Sequence, residues 1–301
     1  MRKRRDWFFW WAAAVTAAAA GTALAGAVAR VTFHFNPPDK TAYTETATVS
    51  QVADLGKGKV TQQAETVTRR VFAKTSNGFR MTATRVSSRI THDGKTVPDP
   101  LGEKMKGASV SYEFDSAGKL KTIRGYDEVA KRMRAVLPKE EAAQFTEEAL
   151  RRQTMSEWAA RFGHLVGTTL ALKSLRIGVE PYPSPSGKKL VVYTATRVAS
   201  RTLQGHACVV IRTDFNTDAK ALAELLGVKA ETVLSAKPPA KAAVDTTSKA
   251  SMSGHTQKTV DPATLLPYAE SSSRILSMPI PDTNKVGSST ETRAYTFAYG
   301  K

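Results

Sequence analysis

Catalysis needs side chains that converge, and the residues able to do chemistry in this 301-residue chain are scattered. The histidines, His34, His92, His164, His206 and His255, never fall at metal-ligand spacing. One cysteine, Cys208, excludes an intramolecular disulfide and a thiolate cluster, and within the apolar run Ala207–Ile211 it reads as a small buried hydrophobe. Nucleophile-elbow, zinc-helix and phosphate-loop motifs are missing. Ser186-Gly187-Lys188-Lys189 lacks the earlier glycine of a phosphate loop and reads as a hairpin tip. The carboxylate pairs Glu140-Glu141 and Glu147-Glu148 sit at adjacent helical positions, which do not face each other, so they suit a solvated face. The expectation is a non-enzymatic protein without cofactor or metal; a hydrolase would require a Ser/His/Asp cluster assembled in space.

The informative side chains lie at helical spacing in the middle of the chain. Val129, Met133, Phe145, Trp158 and Phe162 form apolar stripes, predicted to be either ordinary core or the lining of a deformable cavity for an acyl chain. Lys131, Arg132, Arg134, Arg151, Arg152 and Arg161 are predicted on the opposite faces, a basic rim suited to a headgroup beside its tails.

The elements that must position them are mostly strands. Period-two alternation of Thr, Val and Tyr predicts strands over 41–53, 59–75 and 78–91, separated by Gly56-Lys57-Gly58, Ser76-Asn77-Gly78 and His92-Asp93-Gly94. A hairpin is predicted over 109–123, turning at Asp115-Ser116-Ala117-Gly118. Helix follows Gly125 and continues through about Gly163, with a break near Thr154 where Ser156 could cap a new start. Strands resume over 169–177, 189–200 and 207–213, with a proline-rich excursion at 181–187. A short helix over 219–226, a connection over 228–241 and strands over 244–259, 268–278 and 289–299 complete the chain. This is α+β: a long curved antiparallel sheet with amphipathic helices on its concave face, in one domain over residues 31–301.

Residues 1–30 carry an address. Arg2-Lys3-Arg4-Arg5 precede Trp7–Ala29, 23 residues free of charge, which as a helix would be roughly 35 Å long against a hydrocarbon core of about 30 Å. Basic residues before the stretch and the Trp7–Trp11 aromatic cluster orient the remainder outward. Small residues at Ala23-Leu24-Ala25 and Ala27-Val28-Ala29 suit signal cleavage, so signal peptide and retained anchor both stand. The protein is therefore expected in the bacterial envelope, anchored to the inner membrane or released outside it. The net charge of +17, or +14 with 40 basic against 26 acidic residues beyond position 29, would suggest nucleic acid in the cytoplasm. Outside it, an anionic membrane surface is the expected partner and nucleic acid is not.

The phrase Tyr112–Glu128, with the turn Thr259-Val260-Asp261-Pro262-Ala263-Thr264, resembles an uncharacterised family of exported bacterial proteins. Long antiparallel strands with central helices also look like the half-barrel carriers of lipoproteins and lipids, the LolA, LolB and LppX type. That resemblance implies an incomplete barrel closed by helices over an apolar cavity, though the acylated cysteine of LolB and LppX has no counterpart here. A lipid or amphiphile carrier is the expectation, and an envelope structural or assembly protein holding a protein or anionic polymer is the alternative.

Overall fold

A computed structural model describes residues 29–54, 56, 58–182, 190–217, 251–280 and 286–300. The strands are β1 (Arg30–Thr32), β2 (Ala42–Asp54), β3 (Lys59–Thr75), β4 (Gly78–His92), β5 (Lys95–Val97), β6 (Ser109–Asp115) and β7 (Leu120–Arg124). After the helices come β8 (Thr169–Ala171), β9 (Leu175–Tyr182), β10 (Leu190–Leu203), β11 (His206–Thr217), β12 (Ser251–Val260), β13 (Pro267–Pro279) and β14 (Val286–Tyr299). Between β5 and β6 lies α1 (Pro100–Met105); α2 (Tyr126–Arg134), α3 (Lys139–Ala142) and α4 (Glu147–Trp158) follow β7, and α4 widens into a π-turn at Ala159–Gly163. The expected helix at 219–226, the connection at 228–241, the proline-rich excursion from 183 and the apolar segment up to Val28 lie outside the described residues. Among the described residues no helix is long and apolar enough to cross a membrane.

One antiparallel sheet dominates, in the order β7-β6-β4-β3-β2-β14-β13-β12-β11-β10-β9, with β5 beside β4; it has twelve strands and does not close. The chain is thus mostly β, about 60% strand, and the expected α+β class overstates the helices, which are few. The helices are short, and α4 contains no fully buried residue; it is held through Leu150 and Trp158, which pack partly buried against the core, and through Thr154, bonded to the Tyr126 hydroxyl. The expected strand over 169–177 divides in two. β8 leaves the sheet to pair with β1, and Lys173 takes positive φ between β8 and β9.

Directly opposed residues of an antiparallel pair share a face, so the registers assign the helix-covered face. One row runs Phe72, Met81, Tyr112 and Ile123 across β3, β4, β6 and β7. Another runs Tyr299, Tyr43 and Arg70 across β14, β2 and β3. Phe33 and Phe35, after β1, pack into this core, where Phe35 meets Phe72, Phe79 and Phe114 at ring-centroid distances of 6.1, 5.4 and 4.7 Å. Trp158 and Phe162 pack on the aromatic part of that face, while α1 lies against β4 near Ser88.

Candidate functional site

Local chemistry sets each helix at its station. Gly125, in the left-handed region at φ +94°, opens α2; a Cβ there would lie 2.6 Å from the Ser109 carbonyl oxygen. Thr146 caps α4, its Oγ1 accepting from the Ala149 N–H at 3.1 Å, and α4 runs unbroken through the expected break, with Ser156 inside it. The π-turn then inserts extra arc per turn and rotates the following side chains relative to an α-helical continuation.

Arg161 lies within this π-turn, three residues after Trp158. Expected on the rim, it turns to the sheet, donates to Glu270 Oε2 at 2.6 and 2.9 Å and lies 3.6 Å from Glu45 Oε2. Its guanidinium carbon stands 4.3 Å from the Tyr295 ring centroid and 5.1 Å from that of Phe162. Arg70 donates to Glu45 Oε1 at 3.0 Å. The Lys258 ammonium donates to the carbonyls of Ala160 and Arg161 at 3.0 and 2.7 Å, tying the π-turn to β12. Lys258, Glu270 and Tyr295 form one register row across β12, β13 and β14. Burial pushes the Glu45 carboxyl up, but Arg70 and Arg161 outweigh it and hold it below the ordinary carboxylate value. Burial, assisted by Arg161 and opposed by Glu270, brings the Lys258 ammonium down to about 8.

The other rim candidates do face outward, mostly ion-paired. Arg132 bonds Glu128 at 2.9 Å and the carbonyls of Lys104 and Lys106 at 3.3 and 3.0 Å. Arg151 pairs with Glu147, and Arg152 lies 3.8 Å from Glu148. Lys131 and Arg134 are exposed.

The five apolar candidates divide as well. Val129 and Phe162 are buried core, Met133 packs partly buried against it, and Phe145 is half-buried apart from it. Trp158 sits between Phe114 at 4.8 Å, Phe162 at 5.2 Å and Phe35 at 5.7 Å. Beneath α4 the space that remains is a cavity of about 50 Å³ beside Tyr43, Glu45, Arg70, Tyr112 and Arg161, large enough for water but not for an acyl chain. The interface expected to hold an acyl chain is filled with aromatic rings at this point.

The apolar space lies on the other side of Trp158. A groove of about 420 Å³ is lined by Ala117, Gly118 and Lys119 of the β6–β7 turn with Leu120 of β7, by Met155, Trp158, Ala159 and Gly163 of α4 and the π-turn, and by Val166. Gly118, at φ +81°, shapes it, since a Cβ there would come within 2.2 Å of Phe35 Cβ. Two further concavities, of about 470 and 310 Å³, are lined by charged groups such as Arg80, Glu113 and Arg124, or Lys104, Glu128 and Arg132. The groove at Trp158 is the apolar one of these, and its size falls in the range of small-molecule sites.

Cys208 is buried, and burial pushes its thiol up. Among the described residues, no group of three or more His, Cys, Asp or Glu could hold a metal ion.

No protein-family model and no curated protein matches the chain. Among solved structures it is similar to lipovitellin, in a structure of lipid–protein interactions, at 10% identity and a TM-score of 0.45 over 86% of this chain and 25% of the other. The chain therefore spans about a quarter of lipovitellin's length. It is also similar to DynF of the dynemicin biosynthesis pathway of Micromonospora chersina, at 9% identity and a TM-score of 0.19 over 93% and 87% of the two chains. OccK5 (OpdH) of Pseudomonas aeruginosa gives 6% and 0.22 over 87% and 99%. Likenesses this distant carry no argument about activity, which rests on the site itself.

Proposed function

We propose that this chain is a non-catalytic protein of the bacterial cell envelope that binds or carries a lipid or other amphiphile outside the inner membrane, its residues 31–301 forming one extracytoplasmic domain behind a signal peptide or anchor. The observation that supports the reading is the 420 Å³ apolar groove beside Trp158. Met155 and Trp158 offer a polarizable, adaptable wall for a hydrocarbon tail, and Lys119 offers a cation to an anionic headgroup. The open twelve-stranded sheet, with Trp158 and Phe162 packed on the aromatic part of one face, suits a half-barrel whose mouth is closed by α4.

Native mass spectrometry of the purified chain should reveal copurifying lipid. Delipidated protein should take up a fluorescent fatty acid, and Ala159→Trp, which places an indole in the groove, should weaken that uptake about tenfold or more, the loss of roughly 1.4 kcal/mol of apolar contact. Wild-type protein that takes up neither fatty acid nor phospholipid, or an Ala159→Trp variant that binds as well as wild type, would overturn the proposal.

A further inference from the structure

The most exposed large apolar side chains described in the molecule gather at one edge of the sheet. Leu175, Ile177 and Val179 of β9 and Tyr193 of β10 are 54%, 74%, 61% and 55% exposed, above every other large hydrophobic residue in that condition. The register pairs Tyr193 with Val179, Ala195 with Ile177 and Arg197 with Leu175, so they share the face opposite the helices. Edge strands are ordinarily blunted by charge on such positions; here aliphatic residues fill them. From typical side-chain areas the four expose roughly 500 Å², at the upper end of what a single monomer patch shows.

The surroundings say which occupant fits. Arg197 opposes Arg212 across β10 and β11, and Arg201 follows on the same face of β10. Against these three cations stands Asp214, which accepts from Arg197 at 2.6 Å and from Arg212 at 2.8 and 3.0 Å. One carboxylate therefore answers two guanidiniums, and the surplus is positive in a chain of net charge +17. A second copy would bring the same surplus against itself across an apolar contact. An anionic bilayer meets both features at once, with acyl boundary for the aliphatic residues, headgroup level for the tyrosine ring and phosphate for the arginines.

We infer that the β9–β10 edge, through Leu175, Ile177, Val179 and Tyr193 with Arg197, Arg201 and Arg212 beside them, docks the domain on the surface of an anionic lipid bilayer. The inference takes the presence of a bilayer from the envelope reading above and is independent of the groove, which lies on the helix-covered face and is lined by other residues.

The test uses the full chain, whose apolar N-terminal segment is common to every variant. With Cys208→Ala as background, an environment-sensitive fluorophore is placed by Ile177→Cys, or by Thr48→Cys, which stands on the same face of the distant β2. Vesicles of phosphatidylcholine containing phosphatidylglycerol should shift the emission of the label at 177 to the blue and expose it to a lipid-borne quencher. Vesicles of phosphatidylcholine alone, or high salt, should reduce the effect several-fold, and the label at 48 should not respond. Unlabelled Val179→Asp should still take up fatty acid, while introduced into the labelled Ile177→Cys chain it should cut the quenching about tenfold. Equal emission at 177 with and without anionic vesicles, or scattering that shows a dimer in which the label at 177 is already shielded, would overturn the inference. Fatty-acid uptake intact in the same preparation would show that the groove reading survives that failure.

Discussion

Removing Arg161 without removing its partners should be the most damaging change at the helix–sheet junction. In Arg161→Met the aliphatic part of the side chain is largely kept and the fork is lost, leaving Glu270 and Glu45, whose side chains are 10% and 7% exposed, with fewer cations. Breaking a buried ion pair by deleting one member costs about 3–5 kcal/mol. Arg161 itself is 23% exposed and Glu45 keeps Arg70 at 3.0 Å, so the discounted expectation is about 2–4 kcal/mol, most of it from Glu270. For a chain of this size that corresponds to a fall in Tm of about 3–6 °C. The pH dependence gives a second readout. Glu45, held below its ordinary value of 4.5 because Arg70 and Arg161 outweigh burial, contributes stability that is present above that value and lost as pH falls through the lower native one. Part of this contribution leaves with Arg161, so the gap between wild type and variant should narrow below about pH 4.5. Urea unfolding followed by circular dichroism measures both. Arg152→Met is the control, since that pair is 74% and 76% exposed at 3.8 Å and should matter by no more than about 0.5 kcal/mol. A penalty for Arg161→Met below about 1 kcal/mol at pH 7, with a gap indifferent to pH, would refute the assignment of this arginine to the sheet.

Lys258 should leave a signature at alkaline pH. Its native ammonium titrates near 8 against 10.5 in the unfolded chain, so between these values the unfolded state holds more protons and stability rises with pH, by about 1–3 kcal/mol after allowing for its partial exposure. Lys258→Met should abolish that rise in a series of melting curves from pH 7 to 10, and parallel curves for the two proteins would contradict the placement. Above pH 10 the sign reverses for Tyr268, which burial raises to about 12, because the unfolded tyrosine loses its proton first. Gly118→Ala should destabilise by about 1–3 kcal/mol through its positive φ and the contact with Phe35, and should weaken fatty-acid uptake in the same preparation; wild-type stability would mean that the β6–β7 turn does not press on Phe35.

The strands were legible because their turns carry the required chemistry. Gly78, Gly94 and Gly118 all adopt positive φ at the expected turn sites, and the observed β2, β3 and β4 match the period-two segments within a residue or two. Their order was not legible. That β14 returns to pair with β2, bringing Tyr299 opposite Tyr43, depends on contacts between the two ends of the chain, which local periodicity does not encode. Val129 could be found from helical spacing, whereas Arg161 could not. Three residues after Trp158 it stands at the margin of the apolar stripe, where a cation reads as outward; what receives it is Glu45 and Glu270, on strands far away in the sequence.

The charged layer beneath α4 did leave a signal, in parity. Glu45 follows Tyr43 by two positions, Arg70 precedes Phe72 by two, Lys258 precedes Val260 by two and Glu270 follows Tyr268 by two, and all four apolar members are buried. In a strand, residues two apart point to the same face, so each of these charges had to look inward with its neighbour. A charge on the inward parity of one strand could end at a sheet margin. When four strands do the same, and cations and acids are both present, mutual neutralisation is the arrangement that avoids leaving charges desolvated and unpaired. With Arg161 the layer holds three cations and two carboxylates, so part of the net +17 is interior structure rather than outer surface. Positive charge available to a membrane therefore has to be sought where arginine is exposed and incompletely answered, as beside β9 and β10, and not in the total.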